Sequence, residues 1–276
     1  MTDPCYAPFS PAWVRKVLAE NRLWLARDRG QNYLIDRNAA EKIVALVPAN
    51  VRVLEVGSGL GAITHLVAEN HDTIAVEIDA GVYRLLESLV SSPRLTLVHA
   101  DFLDFDEDAA GITGAWFVSN LPYSISGEAI RKFIAKPCYR EGLVMLQREF
   151  VDRMTAGPGG EQYGVLAILC GTYLETVRQF TVGRNSFFPA PTIDSEVVRI
   201  TKKSVPGLPQ DDFARFLRQA FLSRRKTVSN NLKPLGFDAA SLEALGVNPK
   251  ARPEELGIDV WKQLFLASAA GSAGKP

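Results

Sequence analysis

The chain has 276 residues, 47% hydrophobic and 22% charged, which excludes wholesale disorder, collagen and coiled coil and leaves room for one large α/β domain, alone or with a small partner domain. Its 31 Lys and Arg are balanced by 31 Asp and Glu, so coating nucleic acid by bulk charge alone is disfavoured, while a local basic face stays open.

Residues 11–26 carry apolar positions at helical spacing, with Pro11 suited to the first turn. From Val51 the pattern alternates. Apolar runs at 51–56, 73–78, 95–100, 115–120 and 142–147 read as strands, and the segments 61–70, 80–90 and 126–135 between them read as helices. Such alternation implies right-handed crossovers and a mostly parallel sheet covered on both faces. After the Pro158-Gly159-Gly160 break, 163–172 reads as helix, and the runs 175–182 and 195–200 can close the sheet in antiparallel fashion. The Pro206–Pro209 segment marks a linker, beyond which only helical patterns occur, at about 211–222, 226–233, 239–245 and 259–268. The expected organisation is a large α/β domain over 1–203, whose residues 1–35 form an N-terminal helix and a covering segment, followed by a small all-helical domain over 204–276.

No apolar run reaches the roughly 18 residues of a membrane span, and the opening Met-Thr-Asp-Pro-Cys lacks a basic segment followed by an apolar one, so no secretory signal is expected. Cys5, Cys138 and Cys170 are odd in number and scattered, which points away from a disulfide framework and towards a reducing cytoplasm. His65, His71 and His99 have no Cys/His cluster beside them, so no metal is expected.

The chemistry concentrates at strand ends. Gly57-Ser58-Gly59-Leu60-Gly61 stands where a strand hands over to a helix; glycines there permit positive φ and close approach of a ligand to the backbone. The spacing G-x-G-x-G differs from the G-x-G-x-x-G of dinucleotide sites. Glu77, at the end of the next strand, can accept both ribose hydroxyls, Asp79 suits a helix N-cap, and Asp101, after the third strand, can accept an exocyclic adenine amine. Gly57, Glu77 and Asp101 thus outline a pocket for an adenosine-bearing cofactor, and the layout suits S-adenosylmethionine better than NAD, which needs its pyrophosphate cradled. Asn120-Leu121-Pro122-Tyr123 follows the fourth strand. An aminopurine amine has its lone pair delocalised into the ring, and two acceptors, the Asn120 side-chain oxygen and the Leu121 carbonyl, can turn it towards a methyl donor. Pro122 fixes the turn and Tyr123 can stack on the base. Phe187, in Ser186-Phe187-Phe188-Pro189-Ala190-Pro191, is placed to cover the base's other face. Between Arg199 and Lys233, nine cations (Arg199, Lys202, Lys203, Arg215, Arg218, Arg224, Arg225, Lys226, Lys233) face only Asp211 and Asp212, a basic stretch suited to phosphates.

Taken together, Gly30-Gln31-Asn32-Tyr33-Leu34, Glu55-Val56-Gly57-Ser58-Gly59-Leu60-Gly61, Val76-Glu77-Ile78-Asp79, Ala100-Asp101-Phe102, Asn120-Leu121-Pro122-Tyr123, Gln147-Arg148-Glu149, Phe187-x-Pro189-x-Pro191 with Asp194-Ser195, Phe221-Leu222-Ser223-Arg224-Arg225-Lys226-Thr227 with Asn230-Asn231-Leu232-Lys233, and Arg252-Pro253-Glu254-Glu255-Leu256 resemble the small-subunit ribosomal RNA adenine N6,N6-dimethyltransferase family (KsgA type) over nearly the whole chain. Tyr33 replaces the family's usual Phe and Ser58 its usual Pro. The resemblance implies a Rossmann-like class I methyltransferase sheet, mostly parallel with an antiparallel closing strand. It implies S-adenosylmethionine held by Gln31, Asn32, Leu34, Gly57, Gly59, Glu77, Ile78, Asp101, Phe102 and Asn120. The target adenine is expected against Asn120, Leu121, Pro122, Tyr123 and Phe187, and rRNA phosphates on Arg148, Arg224, Arg225 and Lys226. The implied reaction is dimethylation of two adjacent adenosines near the 3′ end of small-subunit rRNA, by a cytoplasmic and monomeric enzyme acting on an immature subunit. Rival readings are a large-subunit methyltransferase of the macrolide-resistance type, a non-catalytic assembly factor with the same fold, and an NAD-dependent oxidoreductase.

Overall fold

A computed structural model describes residues 6–23 and 31–272, with side chains as far as residue 269. Cys5, Gly30 and positions 24–26 of the expected first helix lie outside the described residues. Helix α1 (Pro11–Glu20) begins as Pro11 predicts: Ser10 Oγ accepts the Trp13 N–H, and Val14, Val17 and Leu18 form its buried face. The two-residue strand β1 (Tyr33–Leu34) precedes α2 (Arg37–Ala45), which Asp36 caps through the Ala39 N–H.

The alternating segment gives β2 (Val53–Val56), α3 (Thr64–Val67), β3 (Thr73–Glu77), α4 (Ala80–Leu89), β4 (Leu95–His99), β5 (Ala115–Asn120), α5 (Ser126–Ala135) and β6 (Tyr139–Gln147). Every residue of β2 and β3 is buried, as expected of parallel strands covered on both faces. The expected helix 61–70 shrinks to a single turn over Thr64–Val67; it starts late because Gly61 holds the chain at φ +80°, outside helical space. Asp79 caps α4, accepting the Gly81 and Val82 N–H groups.

There follow α6 (Arg148–Met154), α7 (Val165–Tyr173), β7 (Leu174–Val182), β8 (Phe187–Phe188), β9 (Ser195–Lys202) and then only helices: α8 (Gln210–Ala220), α9 (Val228–Leu232), α10 (Ala239–Ala244) and α11 (Ile258–Ser272). The seven-stranded sheet has the order β4-β3-β2-β5-β6-β9-β7. The pairs β3/β4, β2/β3, β2/β5 and β5/β6 are parallel, and β9 runs antiparallel to β6. The two runs expected to close the sheet therefore enter in reversed order, β9 inside and β7 at the edge. The chain winds outward through β2, β3 and β4 and then returns to the other side at β5. The carboxyl ends of β2 and β5 thus form a topological switch point, where open α/β sheets bind ligands.

By contacts the chain forms two compact units, one running to Arg148 and including Val177–Lys202, the other comprising Glu149–Thr176 and the residues from Lys203 onward. A single boundary at 203 therefore needs correction: residues 149–176 pack with the C-terminal helices. The reason lies in α7, whose residues Ala167–Cys170 are all buried. A side chain at Gly171 would meet Ile258 Cδ1 at 2.4 Å, Tyr163 Oη donates to the Leu256 carbonyl at 2.8 Å, and Tyr173 meets Phe213 edge-on. An apolar helix of this kind needs helices on several sides, and the sequence supplies them only after residue 203.

Candidate active site

At the switch point lies a cavity of about 310 Å³, walled by 31–34, by 55–63, by the end of β3 through Ile78, by 100–102 and by 120–125. Each wall is the loop leaving a strand's carboxyl end, except 31–34, which crosses from the N-terminal segment. Gln31, Asn32, Leu34, Gly57, Gly59, Glu77, Ile78, Asp101, Phe102, Asn120, Leu121, Pro122 and Tyr123 all face it.

The glycine turn is shaped by its neighbours. A Cβ on Gly57, at φ +76°, would stand 3.7 Å from Pro122 and 3.8 Å from the Asn120 carbonyl, and one on Gly59 would press the Tyr33 ring at 3.2 Å. Glu77 clasps this turn to β3, accepting the Gly59 N–H on Oε2 and the Asp79 N–H on Oε1, each at 2.9 Å. Burial pushes its carboxyl above the usual range against those two N–H groups, and the Asp79 charge adds to the rise. Each oxygen keeps a lone pair for a diol. Asp101 Oδ1 accepts the Leu103 N–H at 2.8 Å, which holds its carboxylate at the cavity wall beside the buried Phe102 ring.

The Asn120 turn is built from contacts distant in sequence. Asn120 Nδ2 donates to the Asn32 carbonyl at 3.1 Å, which commits the amide nitrogen and leaves Oδ1 as the acceptor. The Leu121 N–H is likewise committed, to the Met145 carbonyl at 3.2 Å, so the group Leu121 offers the cavity is its carbonyl. Tyr123 Oη lies 3.2 Å from Ser195 Oγ on β9, and burial pushes the phenol up while Ser195 opposes the rise. Asn120 and Leu121 thus line the hollow with the amide nitrogen of one and the N–H of the other bonded within the protein.

Phe187 is a correction. It is 2% exposed, packs in the core with Leu34, Ile63 and Val182, and does not line the cavity. The cause is register: in the antiparallel β1/β8 pair Leu34 stands opposite Phe187 and Tyr33 opposite Phe188, so alternation turns Phe187 inward. Phe188 remains half-buried, with the Arg15 guanidinium 5.3 Å from its ring centroid.

None of the expected phosphate contacts is among the residues that line this cavity. Arg148 is exposed at the end of β6. In the helical unit, Asn231 is 4% exposed, and its amide shapes the 223–227 turn: Nδ2 donates to the Ser223, Lys226 and Thr227 carbonyls and Oδ1 accepts the Ser223 N–H. Arg225 and Lys226 are exposed on that turn. Arg224 is partly committed, because its Nη2 donates to the Glu161 and Tyr163 carbonyls at 2.9 Å each.

The sequence reading gave Glu55 no role. It is 2% exposed, lines the cavity, and its Oε2 has no hydrogen-bond partner among the described residues. Burial, with the Glu77 charge adding to it, pushes its carboxyl up to about 8. The available signal was an acid inside a strand otherwise buried and apolar. The folded chain therefore holds a proton that the unfolded chain releases, so this group's stability is fully present below about 4.5 and is lost as pH rises towards 8. In thermal denaturation without ligand, Glu55→Gln is expected to flatten the fall in Tm with rising pH across that window. Equal slopes in variant and parent would refute the assignment.

Comparisons with known proteins agree on one relationship. The profile of the family described as "Ribosomal RNA adenine dimethylase" matches residues 25–269. The ribosomal RNA small subunit methyltransferase A of Deinococcus radiodurans is 34% identical over 270 residues, covering 94% of this chain and 92% of the relative. That of Moorella thermoacetica is 36% identical, covering 91% and 94%. Among solved structures, a dimethyladenosine transferase from Plasmodium falciparum aligns with a TM-score of 0.72 at 23% identity over 87% of this chain and 98% of that one. The 23S rRNA methyltransferase ErmE aligns at 0.65 and 23% over 86% and 99%. At that identity the two structures speak for the fold alone.

Proposed function

The chain belongs to the ribosomal RNA adenine dimethylase family, and from that premise we propose that it transfers methyl groups from S-adenosylmethionine to N6 of two adjacent adenosines in the 3′-terminal hairpin loop of small-subunit rRNA. We infer that it acts as a monomer on an immature small subunit in the cytoplasm. The single observation that supports the reading is that Asn120 and Leu121 line the glycine-walled cavity while the Asn32 carbonyl takes the Asn120 amide N–H, which leaves Asn120 Oδ1 and the Leu121 carbonyl to serve as the acceptors.

The cavity fits the cofactor. Glu77 offers carboxylate oxygens where a ribose diol would lie, Asp101 faces the adenine end, and the positive-φ glycines leave room that a Cβ would fill. When bound, S-adenosylmethionine supplies an electrophilic methyl carbon. Asn120 and Leu121 accept the two N6 hydrogens and so turn the amine lone pair out of the ring plane towards that carbon. Pro122 sets the spacing of the two acceptors, and the Tyr123 ring, steadied by Ser195, stacks on a base drawn out of its helix. The rate gain comes mainly from positioning. After one transfer a single N–H remains for the two acceptors, and the same hollow has to admit the first methyl before the second arrives.

Arg225 and Lys226 would bind rRNA phosphates, which position the RNA without reading sequence. Replacing both by Ala is expected to raise KM for the rRNA substrate about tenfold and to shallow its salt dependence by roughly two charges, with cofactor affinity unchanged. An unaltered salt slope would contradict that role. The function itself is tested on small subunits purified from a strain lacking the modification, with nucleosides identified by mass spectrometry. N6-dimethyladenosine in small-subunit rRNA is expected. Product confined to large-subunit rRNA, or no product from a protein that binds the cofactor, would overturn the reading.

A further inference from the structure

Outside the cavity's lining lies a buried group of charges that the chemistry above does not use. Glu107 is 0% exposed. Its carboxylate is met by Lys132 Nζ and Lys136 Nζ at 3.0 Å each and by Tyr139 Oη at 2.8 Å. Burial pushes that carboxyl up, but the hydrogen bonds from Lys136, Tyr139 and Lys132 outweigh it and hold it below the usual range. Lys136 and Tyr139 already supply a charge and a donor, so balancing Glu107 does not account for what Lys132 does. Its ammonium also donates to the Phe102 carbonyl at 2.5 Å and the Phe105 carbonyl at 2.6 Å, with the Leu103 carbonyl at 3.3 Å. It lies 4.7 Å from the centroid of the Phe102 ring. A single side chain on α5, 12% exposed, therefore gathers the main chain of the loop that carries Asp101.

We propose that Lys132 is a positioning residue for the cofactor's adenine, locking the 101–105 loop to α5 so that Asp101 and Phe102 stay in the cavity wall. The inference rests on the reading of that cavity as the S-adenosylmethionine site. Its geometry has a further consequence. Helix α5 starts where the Asn120–Tyr123 turn ends, with Ser126 Oγ donating to the Pro122 carbonyl. One ten-residue helix thus anchors the base-holding turn at its first turn and the adenine-facing loop at its last.

The test measures S-adenosylmethionine affinity by calorimetry alongside steady-state kinetics. In Lys132→Met a carboxylate loses one of its cations, so the variant is made in a Glu107→Gln background, which removes the charge that would otherwise be left unbalanced. Against Glu107→Gln alone, the double variant is expected to bind cofactor about tenfold more weakly, with kcat at saturating cofactor and KM for rRNA changed by no more than about twofold. Within the Glu107→Gln background, adding Asp101→Ala should cost much less with Lys132→Met than without it, because both changes act on one contact. Lys132→Arg keeps a cation beside Glu107 but not the ammonium's donor geometry, and it should fold and lose part of the affinity. If Lys132 serves only to balance Glu107, the double variant will match Glu107→Gln in affinity, and that result overturns the proposal. So would additive effects of Lys132→Met and Asp101→Ala. If the parent protein bound no S-adenosylmethionine, the reading of the cavity would fall first, and this inference with it.

Discussion

Replacing Asn120 by Ala is expected to lower kcat by about a thousandfold or more, in line with the loss of a preorganised group at the reacting centre, while cofactor affinity falls only a few-fold. Direction decides the effect. The Asn32 carbonyl takes the amide N–H, so the side-chain oxygen has one orientation and one task. Without it, the N6 lone pair relaxes back into the purine ring, and the Leu121 carbonyl alone holds one hydrogen. The modest change in cofactor binding comes from the lost tether to the 31–34 segment. Asn120→Asp separates the two effects. It keeps an acceptor towards the base but sets a carboxylate against the Asn32 carbonyl, so cofactor affinity should suffer more than in Asn120→Ala and the chemical step less. Single-turnover rates at saturating cofactor and rRNA check both. Near-parental turnover by Asn120→Ala would remove the acceptor role.

The second large effect is expected at Glu77. Its Ala variant should bind S-adenosylmethionine about a hundredfold more weakly, a loss of about 2.7 kcal/mol, with KM for rRNA unchanged. Two contributions act together: the acceptors for the ribose disappear, and the Gly59 and Asp79 N–H groups lose the oxygens that hold the glycine turn against β3. The ligand-free protein should show little loss of Tm, because a carboxyl that burial drives up carries a desolvation cost that its removal relieves. The rise in Tm that cofactor gives the parent protein should nearly vanish in the variant. Unchanged calorimetric affinity would contradict the ribose assignment.

Where local pattern decides, the sequence is readable. The run 115–120 and the segment 126–135 become β5 and α5 with the same bounds, because an unbroken apolar run and an amphipathic stretch starting after a fixed turn leave little choice. The cavity residues were legible for a related reason: a parallel sheet puts every strand's carboxyl end on one edge, so Gly57, Glu77, Asp101 and Asn120 converge once the strands are placed. What escaped depends on distant partners. Phe187 and Phe188 are equivalent as a dipeptide, and only pairing with Tyr33 and Leu34, some 150 positions away, decides which faces inward. The basic stretch looked like free charge, yet Arg199 pairs with Glu141 and stacks on Trp116, the Lys202 amine is bound to the Lys136 carbonyl and pushed down to about 8 by burial, and Arg215 meets Asp212. Nothing in the sequence singles out Lys132; only the loop folded over it supplies the carbonyl oxygens it binds. The excursion of 149–176 into the helical unit is of the same kind, since an apolar helix does not announce which neighbours will cover it.

The most direct measurement is a crystal structure of the protein with S-adenosylhomocysteine and an RNA hairpin bearing the two adenosines. One adenine is expected drawn out of the helix, its N6 within about 2.7–3.2 Å of both Asn120 Oδ1 and the Leu121 carbonyl, and facing the cofactor sulfur across the gap a methyl group would fill. A cofactor bound outside the cavity walled by Gly57, Glu77 and Asp101, or an adenine whose N6 meets neither oxygen, would contradict it.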